Sequence, residues 1–202
     1  RHLTEFWMVE PEVAYIDLPG LLELAESFVS SIVSRVLKDN RGELELLGAD
    51  IAGLEKVTPP FDRITYSEAV ETLRSDAAQK FLASQLALFK SQKQAAQEKI
   101  QSLEAEQGAA GVKQWRKDKI AAELIELRGD IVELDAKIEN NPKHAQLAAE
   151  FKWGKDLGGS DETIISMMHE KPVFVTHYPR EAKAFYMRQD RADGRVVENF
   201  DL

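Results

Sequence analysis

Two apolar series with the same four-then-three step flank a glycine-containing turn. The first sets Leu82, Leu86, Phe89, Ala96, Ile100 and Leu103 on one stripe, broken only at Lys93. The second sets Ile120, Leu124, Leu127, Ile131, Leu134 and Ile138 on another. Apolar residues recurring every 3.5 positions form the seam of a coiled coil. Gly108-Ala109-Ala110-Gly111 lies between the stripes. If the chain folds back about residue 110, facing positions share a constant sum. Leu82 with Ile138, Leu86 with Leu134, Phe89 with Ile131, Ala96 with Leu124 and Ile100 with Ile120 all sum to 220. The pattern predicts an antiparallel two-helix arm of roughly 40 Å at about 1.5 Å per residue. Near its turn Lys113, Arg116, Lys117 and Lys119 stand beside Trp115, a basic cluster suited to phosphate. A solvated structural arm and a partner- or RNA-contacting arm both fit this pattern.

On either side of the arm the composition differs. Between Asp76 and Glu150 it is dominated by Ala, Gln, Lys, Glu and Leu; aromatics and glycine return at Phe151-Lys152-Trp153-Gly154. Three segments follow: 1–76, the arm over 77–150, and 151–202. The chain has no cysteine, which excludes disulfides and thiolate metal sites. Its net charge of -9 argues against wrapping nucleic acid with the whole surface, though a local basic patch survives that test. No apolar run approaches the ~20 residues of a membrane helix. The sequence opens at Arg1-His2-Leu3 without an initiator Met and stops at Phe200-Asp201-Leu202, so it reads as an internal stretch of a larger fold.

Outside the arm, helices and strands alternate. Phe6 to Ile16 carries aromatic and branched residues among acids and predicts a strand. Asp17-Leu18-Pro19 reads as a helix start, followed by apolar residues at helical spacing from Leu21 to Leu37 and a stop at Asn40-Arg41-Gly42. Arg63-Ile64 predicts a brief strand, and Thr65 with Glu68 a capping box. A short helix is expected from Asp161 to Glu170. Val173–Tyr178 and Lys183–Arg188 read as strands. With Ala192-Asp193-Gly194 as a turn, Lys183–Gln189 and Arg195–Leu202 predict a hairpin.

The first twelve residues, Arg1-His2-Leu3-Thr4-Glu5-Phe6-Trp7-Met8-Val9-Glu10-Pro11-Glu12, combine a cation pair, an aromatic ring and spaced acids. That set suits an anionic, flat, amine-bearing ligand such as a nucleotide with an amino acid. An edge strand with solvent-facing acids fits equally well. This segment resembles the second half of motif 2 of class II aminoacyl-tRNA synthetases, in the aspartyl/asparaginyl subgroup. His2 and Phe6 match the basic-x-x-x-Phe pattern. Lys171 to Arg188, with its Tyr178-Pro179 and Lys183-Ala184-Phe185-Tyr186-Met187, resembles the asparaginyl branch, as does Phe6-Trp7-Met8-Val9-Glu10-Pro11-Glu12. Trp153-Gly154-Lys155-Asp156-Leu157 is also similar to the subgroup, without an assignable role. The resemblance is carried by residues 1–76 and 151–202.

The resemblance implies an α+β fold: part of the class II antiparallel sheet flanked by helices, with the coiled-coil hairpin inserted. It implies ATP-dependent activation of asparagine and transfer to tRNA(Asn) by a cytoplasmic homodimer without a membrane anchor. Arg1 and His2 would hold the distal ATP phosphate, and Phe6 would stack on adenine. Glu10, Lys183 and Tyr186 would border the amino acid, and Asp201 would bind Mg²⁺, an ion suited to hard oxygen ligands. His177 takes no role. The family's Phe-Arg-x-Glu segment, second magnesium acid and motif 3 Arg do not occur here, so these residues alone are expected to be inactive. An aspartyl enzyme, an asparagine synthetase paralogue and a non-catalytic coiled-coil module are the alternatives.

Overall fold

The computed structural model describes residues 4–202. The chain forms two compact units. One comprises the stretch through Ile64 together with Lys171–Leu202, the other Thr65–Glu170.

In the first unit, helix α1 spans Leu18–Asp39. Asp17 caps it, accepting a hydrogen bond from the Gly20 N–H at 3.2 Å, and Pro19 sits in the first turn, where a missing N–H costs nothing. Helices α2, Arg41–Leu46, and α3, Ile51–Glu55, follow. A three-stranded sheet, ordered β1-β2-β3, is built from Asp62–Thr65, Val173–Thr176 and Phe200–Asp201. β2 and β3 are antiparallel, with Val175 opposite Asp201 and Thr176 opposite Phe200. Every residue of β2 is buried, as expected of a central strand covered on both faces. Leu18 and Leu22 of α1 pack with Phe61 and Phe174, joined by Ala25, Val29, Val57 and Phe200. Phe174 meets Phe61 at 5.8 Å and the edge of Phe200 at 5.2 Å. Each such side chain contributes about 1.5–3 kcal/mol by leaving water.

One acid lies inside this core. Glu26 of α1 is buried, accepts the Phe61 N–H at 2.6 Å and lies 3.8 Å from the Arg63 guanidinium. It fastens α1 to the entry of β1. A buried carboxylate is tolerated because the amide and the cation replace its lost hydration.

In the second unit, α4 (Tyr66–Arg74) begins at the expected capping box. The Thr65 hydroxyl accepts the Glu68 N–H at 3.2 Å, and the Glu68 carboxylate accepts the Thr65 N–H at 2.7 Å. These bonds hold the Glu68 carboxyl below its ordinary range, the backbone bond from Thr65 being the larger cause. Tyr66 is fully buried; its hydroxyl donates to the Lys155 carbonyl at 2.5 Å and accepts the Gly154 N–H at 3.1 Å. Burial pushes that phenol up. Trp153 stands edge-on to Tyr66 and donates to the Ser67 hydroxyl. The Trp153-Gly154-Lys155 loop is therefore the lock over α4. Gly154 has φ +99, a conformation open to glycine and strained for other residues. In the same unit, two long helices, α5 (Asp76–Gly108) and α6 (Gln114–Ala149), run antiparallel. Helix α7, Gly159–Met167, closes the unit.

The seam positions of α5 and α6 are those expected from sequence. Leu82, Leu103, Ile120, Leu124 and Leu134 are buried, and Ile100 and Leu127 pack on the Leu103–Ile120–Leu124 cluster. Lys93, the break in the stripe, pairs with Asp135. The register differs from the expected one. Cross-helix bonds join Gln79 to Ala145, Leu82 to Asn141 and Gln107 to Lys117. Those partners lie about one helical turn beyond the anticipated ones on α6. The reversal is centred later, near Gly111, which adopts φ +84. Sliding one turn preserves a periodic seam, so apolar spacing alone did not fix the register.

Two expected strands are absent. Between Phe6 and Ile16 no strand forms; the residues are exposed, and Tyr15 takes φ +65, which a strand cannot accommodate. The aromatic–acid alternation is a local signal, and a strand exists only where another supplies its hydrogen bonds. Lys183–Arg188 is also irregular, following a 3-10 turn at Arg180–Ala182. The expected hairpin survives as the isolated pairing Gln189–Val197, with the Glu198 N–H donating to the Arg188 carbonyl at 2.8 Å. At its tip the Asp190 side chain accepts the Ala192 and Asp193 N–H groups, a side-chain turn that replaces longer strand pairing.

Replacing Glu26 by Ala strands the Phe61 amide and is expected to cost about 1–3 kcal/mol in denaturant unfolding, with Glu26→Gln milder because an acceptor remains. Phe174→Ala is expected to cost about 3–5 kcal/mol by the same measurement. In the hairpin, Arg195 holds the Asp193 carboxyl down to about 2 from its ordinary 3.8. A depressed carboxyl stabilises the folded turn above pH ~4, and that contribution fades as pH falls toward 2. Carboxyl NMR titration should show Asp193 moving back up in Arg195→Gln.

Candidate active-site residues

The residues singled out by sequence do not all converge. Arg1 and His2 lie outside the described residues. Phe6 is 62% exposed; neither it nor Glu10 makes a hydrogen bond, ion pair or ring contact with another described residue. Tyr186 is 75% exposed and meets the edge of the exposed Phe185 ring at 5.7 Å.

Lys183 and Asp201, expected to serve separate ligands, come together. β3 holds Asp201 in register opposite Val175, and the turn after Arg180–Ala182 returns Lys183 to it. The Lys183 ammonium is 3.0 Å from the Asp201 carboxylate and 4.0 Å from the centre of the buried Tyr178 ring. Ring and carboxylate together fix a cation whose side chain is only 15% exposed, whereas that of Asp201 is 47% exposed. Such a pair leaves the half-exposed carboxylate open to competing charges. An arriving carboxylate or phosphate competes for the ammonium, and an arriving cation competes for Asp201.

For Mg²⁺ the donor set is thin. Among the described residues no group of three or more His, Asp or Glu is placed to hold a metal. Asp201 supplies one carboxylate, and a lysine already engages it. One carboxylate suffices for Mg²⁺ where phosphate oxygens complete the octahedron, so the fit is to a single ligand and not to a preformed cage.

Sequence reasoning missed the supports of this site. Asn199 clamps the end of β2: its carbonyl accepts the His177 N–H and its side chain the Tyr178 N–H. His177 takes φ +58, contacts the Thr176 hydroxyl at 2.9 Å and lies 3.9 Å from Asp190. Arg188 pairs with the largely buried Glu198 at 2.5 Å across the hairpin. That pair was detectable in principle, since the residues flank the Ala192-Asp193-Gly194 turn at facing positions. No helix among the described residues is long and apolar enough to cross a membrane.

Comparison with known proteins gives a consistent result. The family model described as tRNA synthetases class II (D, K and N) matches residues 1–202. An asparagine–tRNA ligase from Sorangium cellulosum is 36% identical over 202 residues, covering 100% of this chain and 32% of the relative. One from Desulforamulus reducens is 35% identical, again over the whole chain and 30% of the relative. Among solved structures, asparaginyl-tRNA synthetase from Pyrococcus horikoshii aligns with TM-score 0.53 and 25% identity, over 93% of this chain and 28% of that one. The same enzyme complexed with asparaginyl-adenylate aligns with the same score at 24% identity and supports the fold alone. The chain thus spans about a third of the length of the curated relatives it matches, and the aligned span runs through the α5–α6 pair. With the family model matching from end to end, this α+β chain belongs to the class II tRNA synthetases of the D, K and N group.

Proposed function

We propose that these residues form part of the catalytic domain of an asparagine–tRNA ligase, which activates asparagine with ATP and transfers it to tRNA(Asn). The observation that carries this reading is the alignment of the whole of this chain with about a third of the length of asparagine–tRNA ligases at 35–36% identity. The asparagine carboxylate attacks the α-phosphorus of ATP, and the bond to pyrophosphate breaks. A hydroxyl of the tRNA terminal adenosine then attacks the adenylate carbonyl, and AMP leaves. Neither step needs a protein nucleophile; alignment and charge stabilisation supply the rate.

On this reading Arg1 and His2 hold the distal phosphate, and Phe6 stacks on adenine. Glu10, Lys183 and Tyr186 border the amino acid, with a carboxylate such as Glu10 accepting from its ammonium or amide. Asp201 would hold Mg²⁺, an ion that would supply neutralisation of phosphate charge. What supports the last assignment is the position of Asp201 on β3 with its side chain half exposed; Lys183 would have to give it up for the ion to bind. We read residues 77–150 as a coiled-coil hairpin set between 1–76 and 151–202. The buried 4–3 seam of α5 and α6 supports this. The intact ligase is read as a cytoplasmic homodimer.

The test is ATP–pyrophosphate exchange by the full-length protein, with asparagine compared against aspartate. Exchange is expected with asparagine at least ~100-fold above aspartate, a difference of about 2.7 kcal/mol; equal or inverted rates would replace this reading by the aspartyl one. Phe6→Ala should raise the KM for ATP roughly tenfold or more, since one base–aromatic stack is worth about 1–3 kcal/mol.

A further inference from the structure

The α5–α6 turn concentrates positive charge on a chain of net charge -9. Lys113, Arg116, Lys117 and Lys119 fall within seven residues, interrupted by one acid, Asp118. The structure divides them into two kinds. Arg116 is spent on the hairpin itself, donating two hydrogen bonds of 2.7 and 2.6 Å to Glu106. That pairing raises the guanidinium's proton affinity and lowers that of Glu106, and it staples α5 to α6 at the turn. Lys113, Lys117 and Lys119 make no ion pair with another described residue.

The neighbouring acids are engaged. Glu104 pairs with Arg128, Glu106 with Arg116 and Glu123 with Lys99, and Asp118 accepts from the Gln114 amide. Lys119 adds only a longer-range pull on Glu123, weaker than that of Lys99. The three lysines at the turn are therefore left without an ion-pair partner among the described residues. Between them stands Trp115, 64% exposed, on the first turn of α6. Beside cations, an exposed indole offers a stacking plane. The hairpin has a packed seam and cross-helix ion pairs, and its tip lies roughly 40 Å beyond Leu82 at about 1.5 Å per residue.

We propose that this tip, Lys113, Trp115, Lys117 and Lys119, is an RNA-contacting surface that grips the backbone of the tRNA substrate. The proposal rests on the ligase reading for the identity of the polyanion. The lysines neutralise phosphates and release counterions, and Trp115 packs on a base or sugar. Because none of these residues belongs to the adenylate-forming site, the tip serves tRNA binding and leaves amino acid activation untouched.

The experiment uses the full-length protein and tRNA(Asn), with affinity measured by fluorescence anisotropy over a range of salt. Lys113→Gln, Lys117→Gln and Lys119→Gln combined should weaken binding about tenfold. The same triple variant should lower the log–log salt slope by roughly 2–3, about one for each phosphate that is no longer neutralised. Replacing the same three lysines by Arg should preserve both values, and Trp115→Ala should weaken binding with the slope unchanged. Asparagine-dependent pyrophosphate exchange should stay at the wild-type rate in every variant, which also reports an intact fold. Wild-type tRNA affinity and slope in the triple Gln variant overturns the proposal, even if that variant loses an acidic protein partner. Loss of binding in the Arg variant overturns it too. Failure of the ligase reading is separate: it appears as absent exchange in the unsubstituted protein, whatever the RNA binding shows.

Discussion

Strand β2 is buried along its whole length, and the placement of the chemically interesting residues follows from it. Phe174 packs between Phe61 and Phe200, so α1, the entry to β1 and β3 all converge on one ring. The antiparallel register with β3 then sets Asp201 opposite Val175. Beyond the end of β2, Asn199 holds the backbone of His177 and Tyr178, and the Tyr178 ring becomes the floor beneath Lys183. The Lys183–Asp201 contact is thus a consequence of strand pairing and aromatic packing, more than of attraction between two surface charges. With its carboxylate half exposed, the ion pair is worth little to stability by itself. On the proposed reading, its value lies in holding two opposite charges that a ligand can replace.

The second unit solves a different problem. Two helices of 33 and 36 residues cannot be anchored by propensity, so their inner ends need a solid base. Tyr66 and the Trp153-Gly154-Lys155 loop supply it through two hydrogen bonds and an edge-on ring contact around one buried phenol. Toward the outer end the Leu103–Ile120–Leu124 cluster closes the seam, and the Arg116–Glu106 pair joins the helices beside the turn. Contacts at both ends of the arm hold the turn lysines far from its base.

Much of this was legible in the sequence wherever the signal is local and periodic. The two seams, the Thr65–Glu68 box and the Asp17-Leu18-Pro19 start all involve residues within a few positions of one another, and each appears in the structure as read. Signals that depend on a distant partner were less reliable. Phe6–Ile16 has strand composition but no neighbour to pair with among the described residues, and Lys183–Arg188 gives way to turns in which Lys183 and Met187 bond to the Arg180 and Ala184 carbonyls. The hairpin register slid by a turn because a repeating stripe is nearly indifferent to such a shift. At the site, Lys183 and Asp201 were both named but not as partners, while Glu26 and Asn199 were invisible. A buried Glu at helical spacing and an Asn near a strand look the same in sequence whether or not they capture a backbone amide.

The central claim is that residues from the beginning and the end of this chain close around one nucleotide and its amino acid. A crystal structure of the full-length protein with asparagine and a non-hydrolysable ATP analogue tests it most directly. The expected result is adenine stacked on the Phe6 ring, with Lys183 and Asp201 parted and each turned to a ligand charge. Nucleotide bound elsewhere, with Phe6 solvent-exposed and the Lys183–Asp201 bond intact, would contradict it.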